Sequence, residues 1–231
     1  YKLCGKRLSI GFTAGEYMGT AGGPINSALD FGAFDFRTPE LQFANPSRWN
    51  EDQLHVVCAI DYFTPDIRDE LRELLGYGDT VRTEPPICGE VAQDEPGTAK
   101  GVWFVDGTVQ TYPEDHHITL AYDNIDPTRG VFSVGTSMVK SGLSVGIYYF
   151  NPVDLGLTNR DFKDVKADGN IYCYEPREKF KDRSLQFIIL LQIIISAEEE
   201  NKETLRIEKQ KSNSCDDESR SFGSSYTDFE R

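Results

Sequence analysis

PGTAKGVWFVDGTVQTYPEDHHITLAYDNIDPTRGVFSVGT, residues 96–136, decides the fold class. It predicts three strands, Gly101–Val105, Ile118–Asp123 and Val131–Thr136, parted by turns at Asp106-Gly107 and Asp126–Gly130. Alternation splits the second strand. His116, Ile118, Leu120 and Tyr122 share one face, and His117, Thr119, Ala121 and Asp123 share the other. Trp103, Ile118, Leu120 and Phe132 are the expected core.

Working outward, Cys88–Gln93, Val145–Phe150, Ile171–Tyr174, Leu185–Ile195 and Leu205–Lys209 read as further strands. Leu185–Ile195 is apolar on both phases and should be the most buried. The expectation is a mainly β protein, a barrel or sandwich of about eight to ten mostly antiparallel strands. Upstream, Leu8–Phe12 alternates like a strand, and Ala28–Phe36 changes phase at Gly32 as a β-bulge would. Leu54–Ile60 reads as a buried strand. Thr64 as N-cap, Pro65, and Ile67, Leu71, Leu74 and Leu75 at helical spacing predict one short amphipathic helix over about residues 65–75, its stripe turned to the core. The chain reads as one domain, 1–231. It has a loop-rich part with the helix (1–80), a β core (81–210) and a polar tail (211–231) that Phe222, Tyr226 and Phe229 pin to the body.

The formal charge is −14, from 38 acidic and 24 basic residues. This excludes a basic surface that tracks nucleic-acid phosphates and disfavours an electrostatic membrane anchor. The longest apolar run, Leu185 to Ile195, is too short to span a bilayer. The sequence starts at Tyr1 without methionine, and a secretory signal is one candidate for what precedes it. Five scattered cysteines without zinc-site spacing suggest disulfides in an oxidising compartment, secreted or periplasmic. The preferred pairs are Cys58–Cys88, around the helix, and Cys173–Cys215, tying tail to sheet. Other connectivities stay open, and an odd count leaves one cysteine over.

Chemistry is sparse. There is no G-x-S-x-G and no phosphate-binding glycine loop. A catalytic His117 needs an orienting carboxylate. Asp123 lies about 20 Å along the same strand, so Asp30, Asp35 or Asp61 would have to supply it. His55, His117 and Asp30 or Asp35 make up the candidate catalytic set of a zinc hydrolase. The oxygen-rich turn Asp123-Asn124-Ile125-Asp126-Pro127 reads as Asx turns or, functionally, as a Ca²⁺ site, which makes His117, Asp123 and Asp126 the candidate metal residues. Asp161, Asp164 and Asp168-Gly169-Asn170 resemble a calcium loop but place Lys166 at a ligand position. Tyr148, Tyr149 and Phe150 are candidates for an exposed apolar interaction patch.

Gly101-Val102-Trp103 opening a strand before a meander resembles the G-x-W start of the lipocalin and related calycin barrels. That resemblance implies an eight-stranded barrel with a small apolar ligand inside and an arginine of the last strand over the tryptophan. Here Arg206 falls on the polar phase of its strand, and some ninety residues precede the motif. Asn26 to Asp30 is similar to the H-x-x-x-D zinc motif of lysostaphin-type peptidoglycan endopeptidases, with Asn26 where the first histidine belongs; this implies an inactive relative. Longer phrases such as ALDFGAFDFRTPELQFANPSRW and DNIDPTRGVFSVGTS resemble an uncharacterised group of secreted bacterial β-rich proteins. The expected role is binding or structure in a secreted or cell-envelope protein. Its partner would be a small ligand, a glycan or a protein, not nucleic acid. A metal-dependent hydrolase and a calycin-like ligand barrel are the alternatives.

Overall fold

Strand-forming sequence from Gly101 onward has one economical way to bury its inward phase, which is to curl until its two edges approach each other. The computed structural model describes residues 9–20, 31–77, 79–108, 116–178, 183–196, 202–212, 214–216 and 220–231. Tyr1–Gly32 forms one unit and Ala33–Arg231 another. In the first, a turn at Thr13–Glu16 is held by the Glu16 carboxylate, which accepts from the Thr13 amide at 2.9 Å. Residues 9–12, expected as a strand, have no ladder partner among the described residues and form none. Cys4, Asn26 and Asp30 lie outside the described residues.

The second unit begins with β1 (Ala33–Phe34), α1 (Glu51–Leu54), β2 (Val56–Val57), α2 (Pro65–Arg72), β3 (Gly76–Tyr77) and β4 (Thr80–Val81). The single strand expected over Leu54–Ile60 is thus broken into a helical turn, a two-residue strand and a 3-10 turn at Ala59–Tyr62. The cause is local: Asn50 and Gln53 form a capping box that starts a helix where the apolar run alone suggests a strand. The predicted helix is present, with Thr64 at its N-cap and Pro65 first. Its stripe does not face the core. Ile67 is 38% exposed and Leu71 half-buried, and the helix ends at Arg72, short of the expected 75, so that Leu74, 76% exposed, and Leu75 lie beyond it.

The remaining strands are β5 (Gly101–Val105), β6 (His117–Tyr122), β7 (Gly130–Val134), β8 (Gly146–Phe150), β9 (Tyr172–Tyr174), β10 (Arg177–Glu178), β11 (Arg183–Ser184), β12 (Ile188–Ile195), β13 (Glu203–Gln210) and β14 (Thr227–Glu230). They form one antiparallel sheet in the order β11-β10-β8-β7-β6-β5-β14-β13-β12-β9. β9 and β10 are two halves of one run, bent at Glu175-Pro176 where proline cannot continue the ladder. The first half pairs with β12 and the second with β8. With β9–β10 counted as one bent strand and β11, a two-residue edge strand paired with β10, set aside, the result is a nearly closed eight-stranded barrel in which successive strands are neighbours. Among the described residues no helix is long and apolar enough to cross a membrane.

The tail reading needs correction. Residues 227–230 are not surface tail but β14, paired on both sides, with β13 and β5. The expected strand at Cys88–Gln93 is instead an irregular strap. Both preferred disulfides, Cys58–Cys88 and Cys173–Cys215, are formed.

Trp103, Ile118, Leu120 and Phe132 all point into the barrel and are fully buried. Phe132, Phe150, Phe162 and Tyr174 form an aromatic block with ring centroids 4.8–5.9 Å apart. Gly130 is required here, since a methyl group at its Cα would strike the Phe150 ring. Met138 and Leu143, from the β7–β8 connection, are also fully buried in this core. Tyr148, Tyr149 and Phe150 therefore form no exposed patch. Tyr148 and Phe150 are core, and the Arg129 guanidinium lies 4.7 Å over the Tyr149 ring. β12 is buried on both faces, because Ile188 and Leu190 pack outward against the Cys173–Cys215 bridge.

Candidate functional site

Because Ile118 and Leu120 point inward, the other phase of β6 floors an outer face. Val102, Thr119, Ser133 and Ile147 stand side by side across β5–β8, with Ala121 and Val131 in the next row. Three of these six side chains are alanine, serine or threonine, so the surface is recessed. The strap at Glu90–Gln93 runs along it, and between them lies a groove of about 370 Å³.

The groove walls are held by bonds made elsewhere. The Gln93 amide imitates a strand, accepting from the Tyr122 N–H at 2.8 Å and donating to the Tyr122 carbonyl at 3.2 Å. Asp94 accepts from Val102 N (2.9 Å) and Ala44 N (2.8 Å). Its carboxylate crowds Gly101, whose φ of +131° favours glycine, which is a physical reason for the first position of Gly101-Val102-Trp103. Buried Arg82 donates to the Pro86 and Asn124 carbonyls, each at 2.7 Å, and the Cys58–Cys88 bridge anchors the strap's start. Asp123 Oδ1 accepts from the Ile125 and Asp126 amides at 2.8 and 3.0 Å, an Asx turn that shapes the rim. The charged residues lining the groove are Glu90 and Asp123, so an anion is disfavoured there.

The predicted site residues do not converge. His117 is half-buried on the outer face, its ring centroid 6.0 Å from that of Phe104, and its carbonyl accepts from Ser137 Oγ. His116 shares a hydrogen bond with Thr136 Oγ1 at 2.6 Å. His55 packs on Phe36 at 4.9 Å, its Nδ1 buried and without a hydrogen-bond partner among the described residues. Asp35 meets His55 only through the backbone, its N–H donating to the His55 carbonyl at 2.9 Å. The Asp35 carboxylate is taken by Arg37, with two bonds at 2.7 Å, and by the Tyr62 hydroxyl; these hold it well below the usual carboxylate range. Asp61 pairs with Arg72 at 3.5 Å. Asp126 pairs with Arg129 at 2.8 Å. Among the described residues no three His, Cys, Asp or Glu side chains are grouped to hold a metal ion.

Reasoning from sequence alone missed the strap residues Glu90, Val91 and Gln93 as groove walls. The available signal was the run of short side chains on one phase, Thr119, Ala121 and Ser133. Compared with known proteins, the chain matches no protein-family model, no curated protein and no solved structure.

Proposed function

We propose that this is an extracytoplasmic binding protein on a calycin-like barrel, holding a small uncharged apolar molecule in the groove outside β5–β8. The observation that carries the reading is the contrast between inside and outside. The barrel interior is filled by its own side chains, whereas the outer groove is recessed, apolar at its floor and bordered by a strap bonded in place. Small-molecule sites are mostly concave, apolar and pre-formed, with volumes of roughly 300–1,000 Å³, and the groove falls in that range. Preorganised walls lower the ordering cost of binding.

Two observations support the calycin likeness. Apart from the short edge strand β11, sequence-adjacent strands are barrel neighbours, and an arginine does cover the tryptophan of Gly101-Val102-Trp103, although it is Arg231 and not Arg206. Two disulfides support an oxidising compartment.

The test uses N-phenylnaphthylamine, an uncharged apolar dye, as probe. Its emission is expected to rise and shift to the blue with the wild-type protein. Thr119→Trp, which fills the groove floor from an outward position, is expected to abolish that response without changing the near-ultraviolet circular dichroism. An unaltered response in the folded Thr119→Trp protein would remove the groove as the site.

A further inference from the structure

The floor of the groove on β5–β8 is apolar at its sides and polar at its centre. In the row Val102, Thr119, Ser133, Ile147 the outer two side chains are hydrocarbon and the inner two carry hydroxyls. Thr119 and Ser133 are register partners on neighbouring strands, so their Cβ atoms stand about 5 Å apart and one ligand oxygen between them can reach both hydroxyls. Thr119 is half-buried and Ser133 exposed, and neither hydroxyl has a hydrogen-bond partner among the described residues.

Hydroxyls in the connections of the same sheet are engaged. Thr108 Oγ1 donates to the Val105 carbonyl at 2.6 Å, Ser137 Oγ donates to the His117 carbonyl at 2.7 Å, and Ser141 Oγ meets Thr227 Oγ1 at 2.7 Å. Three other polar side chains of the groove lining are committed as well. The Gln93 amide is bonded to the Tyr122 backbone, the Tyr122 hydroxyl donates to Asp161, and Asp123 Oδ1 accepts two amides.

The lining also has a sign. Glu90 and Asp123 are carboxylates, and no Lys or Arg stands among the described lining residues. A ligand oxygen that can only accept therefore faces further acceptors, whereas one that carries a proton has something to donate. Shape narrows the choice again. The floor spans three inter-strand spacings and one two-residue step along the strands, roughly 14 by 7 Å, which suits a flat ring system.

We infer, on the reading of this groove as the ligand site, that it selects a flat ring compound bearing an uncharged hydroxyl, a phenol or an alcohol. The hydroxyl lies between Thr119 and Ser133, which set the specificity, and the rings lie over Val102, Ala121, Val131 and Ile147.

Titrations followed by backbone amide NMR at neutral pH test this with three probes on one ring system. They are 2-naphthol, its ether 2-methoxynaphthalene, which accepts but cannot donate, and the anion 2-naphthoate. The wild type is expected to bind 2-naphthol about fivefold more tightly than the ether, in proportion to one neutral hydrogen bond, and 2-naphthoate most weakly. Thr119→Val, which keeps the branched shape, and Ser133→Ala should each bring 2-naphthol down toward the affinity of the ether. Thr119→Ser should restore the preference, which a packing role for Thr119 would not do. Equal affinity for 2-naphthol and the ether, 2-naphthoate bound as tightly as 2-naphthol, or an undiminished preference in Thr119→Val/Ser133→Ala would each overturn the inference and leave the groove an apolar site. No shift at the groove residues with any of the three probes would overturn it together with the reading of the groove as a site.

Discussion

The guanidinium of Arg231 lies 4.1 Å over the indole ring of Trp103, and its side chain is only 4% exposed. Arg231 also donates to the Lys100 and Thr98 carbonyls at 3.1 and 2.9 Å and pairs with Glu203 at 2.9 Å. Trp103 in turn donates from Nε1 to the Ala99 carbonyl at 2.9 Å. One side chain thus joins the end of β14, the start of β13 and the turn before β5. Arg231→Ala removes the stack, the Glu203 ion pair and the donor to the Thr98 carbonyl, while the Lys100 carbonyl keeps the Glu95 N–H, so a loss of about 2–3 kcal/mol is expected. Arg231→Lys keeps the charge but loses the planar stack and fork, and should fall between the two. Urea unfolding of the three proteins checks this; equal midpoints would show that the latch carries no stability.

Gly130 and Gly142 should respond differently to alanine. At Gly130 the new methyl meets the Phe150 ring inside the aromatic block, and overpacking of about 2–3 kcal/mol is expected. At Gly142 the methyl meets open space, and only the φ of +82° is unfavourable, so about 1 kcal/mol is expected. Thermal melts of the two variants should preserve that order.

The cysteines make a countable prediction. Two bridges account for four of the five, leaving Cys4 outside both. One thiol per chain should react under denaturing conditions without reductant, whereas five would contradict both bridges. The Cys173–Cys215 pair spans 42 residues, and loop-closure entropy puts its removal at about 4 kcal/mol. Cys173→Ser/Cys215→Ser should unfold at correspondingly lower urea.

Three tyrosines should resist alkali. Burial, followed by the Asp161 carboxylate that accepts its hydroxyl, raises the Tyr122 phenol; burial and then Asp168 push Tyr172 up to about 12; burial raises Tyr174 as well. A folded pKa above the unfolded value of about 10 favours the folded state below that pH, and the advantage is lost as pH rises through the folded pKa. Stability should therefore decline between about pH 10 and 12. Spectrophotometric titration should show these three phenols ionising later in the folded chain than in denatured protein. Coincident curves would contradict the burial.

The inward phase of the barrel was legible on β6, where Ile118 and Leu120 alternate with His117, Thr119 and Ala121, and Trp103 and Phe132 followed as the large side chains of the neighbouring apolar runs. β14 was not. In Thr227-Asp228-Phe229-Glu230 a single large apolar side chain faces inward, while Asp228 and Glu230 are matched by Arg206 and Lys202 at 2.7 Å, partners far away in sequence. Cys88–Gln93 was read as a strand ahead of the turn cluster Asp94–Gly97, yet Gln93 pairs with the barrel through its side chain. Helix α2 was recognisable from Thr64-Pro65 and its stripe, but nothing local says whether a surface stands opposite that stripe. The groove was hidden for a related reason. Thr119, Ala121 and Ser133 become one recess only once the β6–β7 register places Thr119 beside Ser133 and Ala121 beside Val131. His117 and Asp123 drew attention by chemistry, but their face matters here for the small residues between them.

Backbone amide NMR during titration with N-phenylnaphthylamine tests the central claim most directly, because it separates the outer groove from the barrel interior. The account predicts shifts concentrated at Val102, Thr119, Ala121, Val131 and Ser133, with Met138, Leu143 and Tyr148 unmoved. Shifts concentrated at Met138, Leu143 and Tyr148 would place the ligand inside the barrel and contradict it.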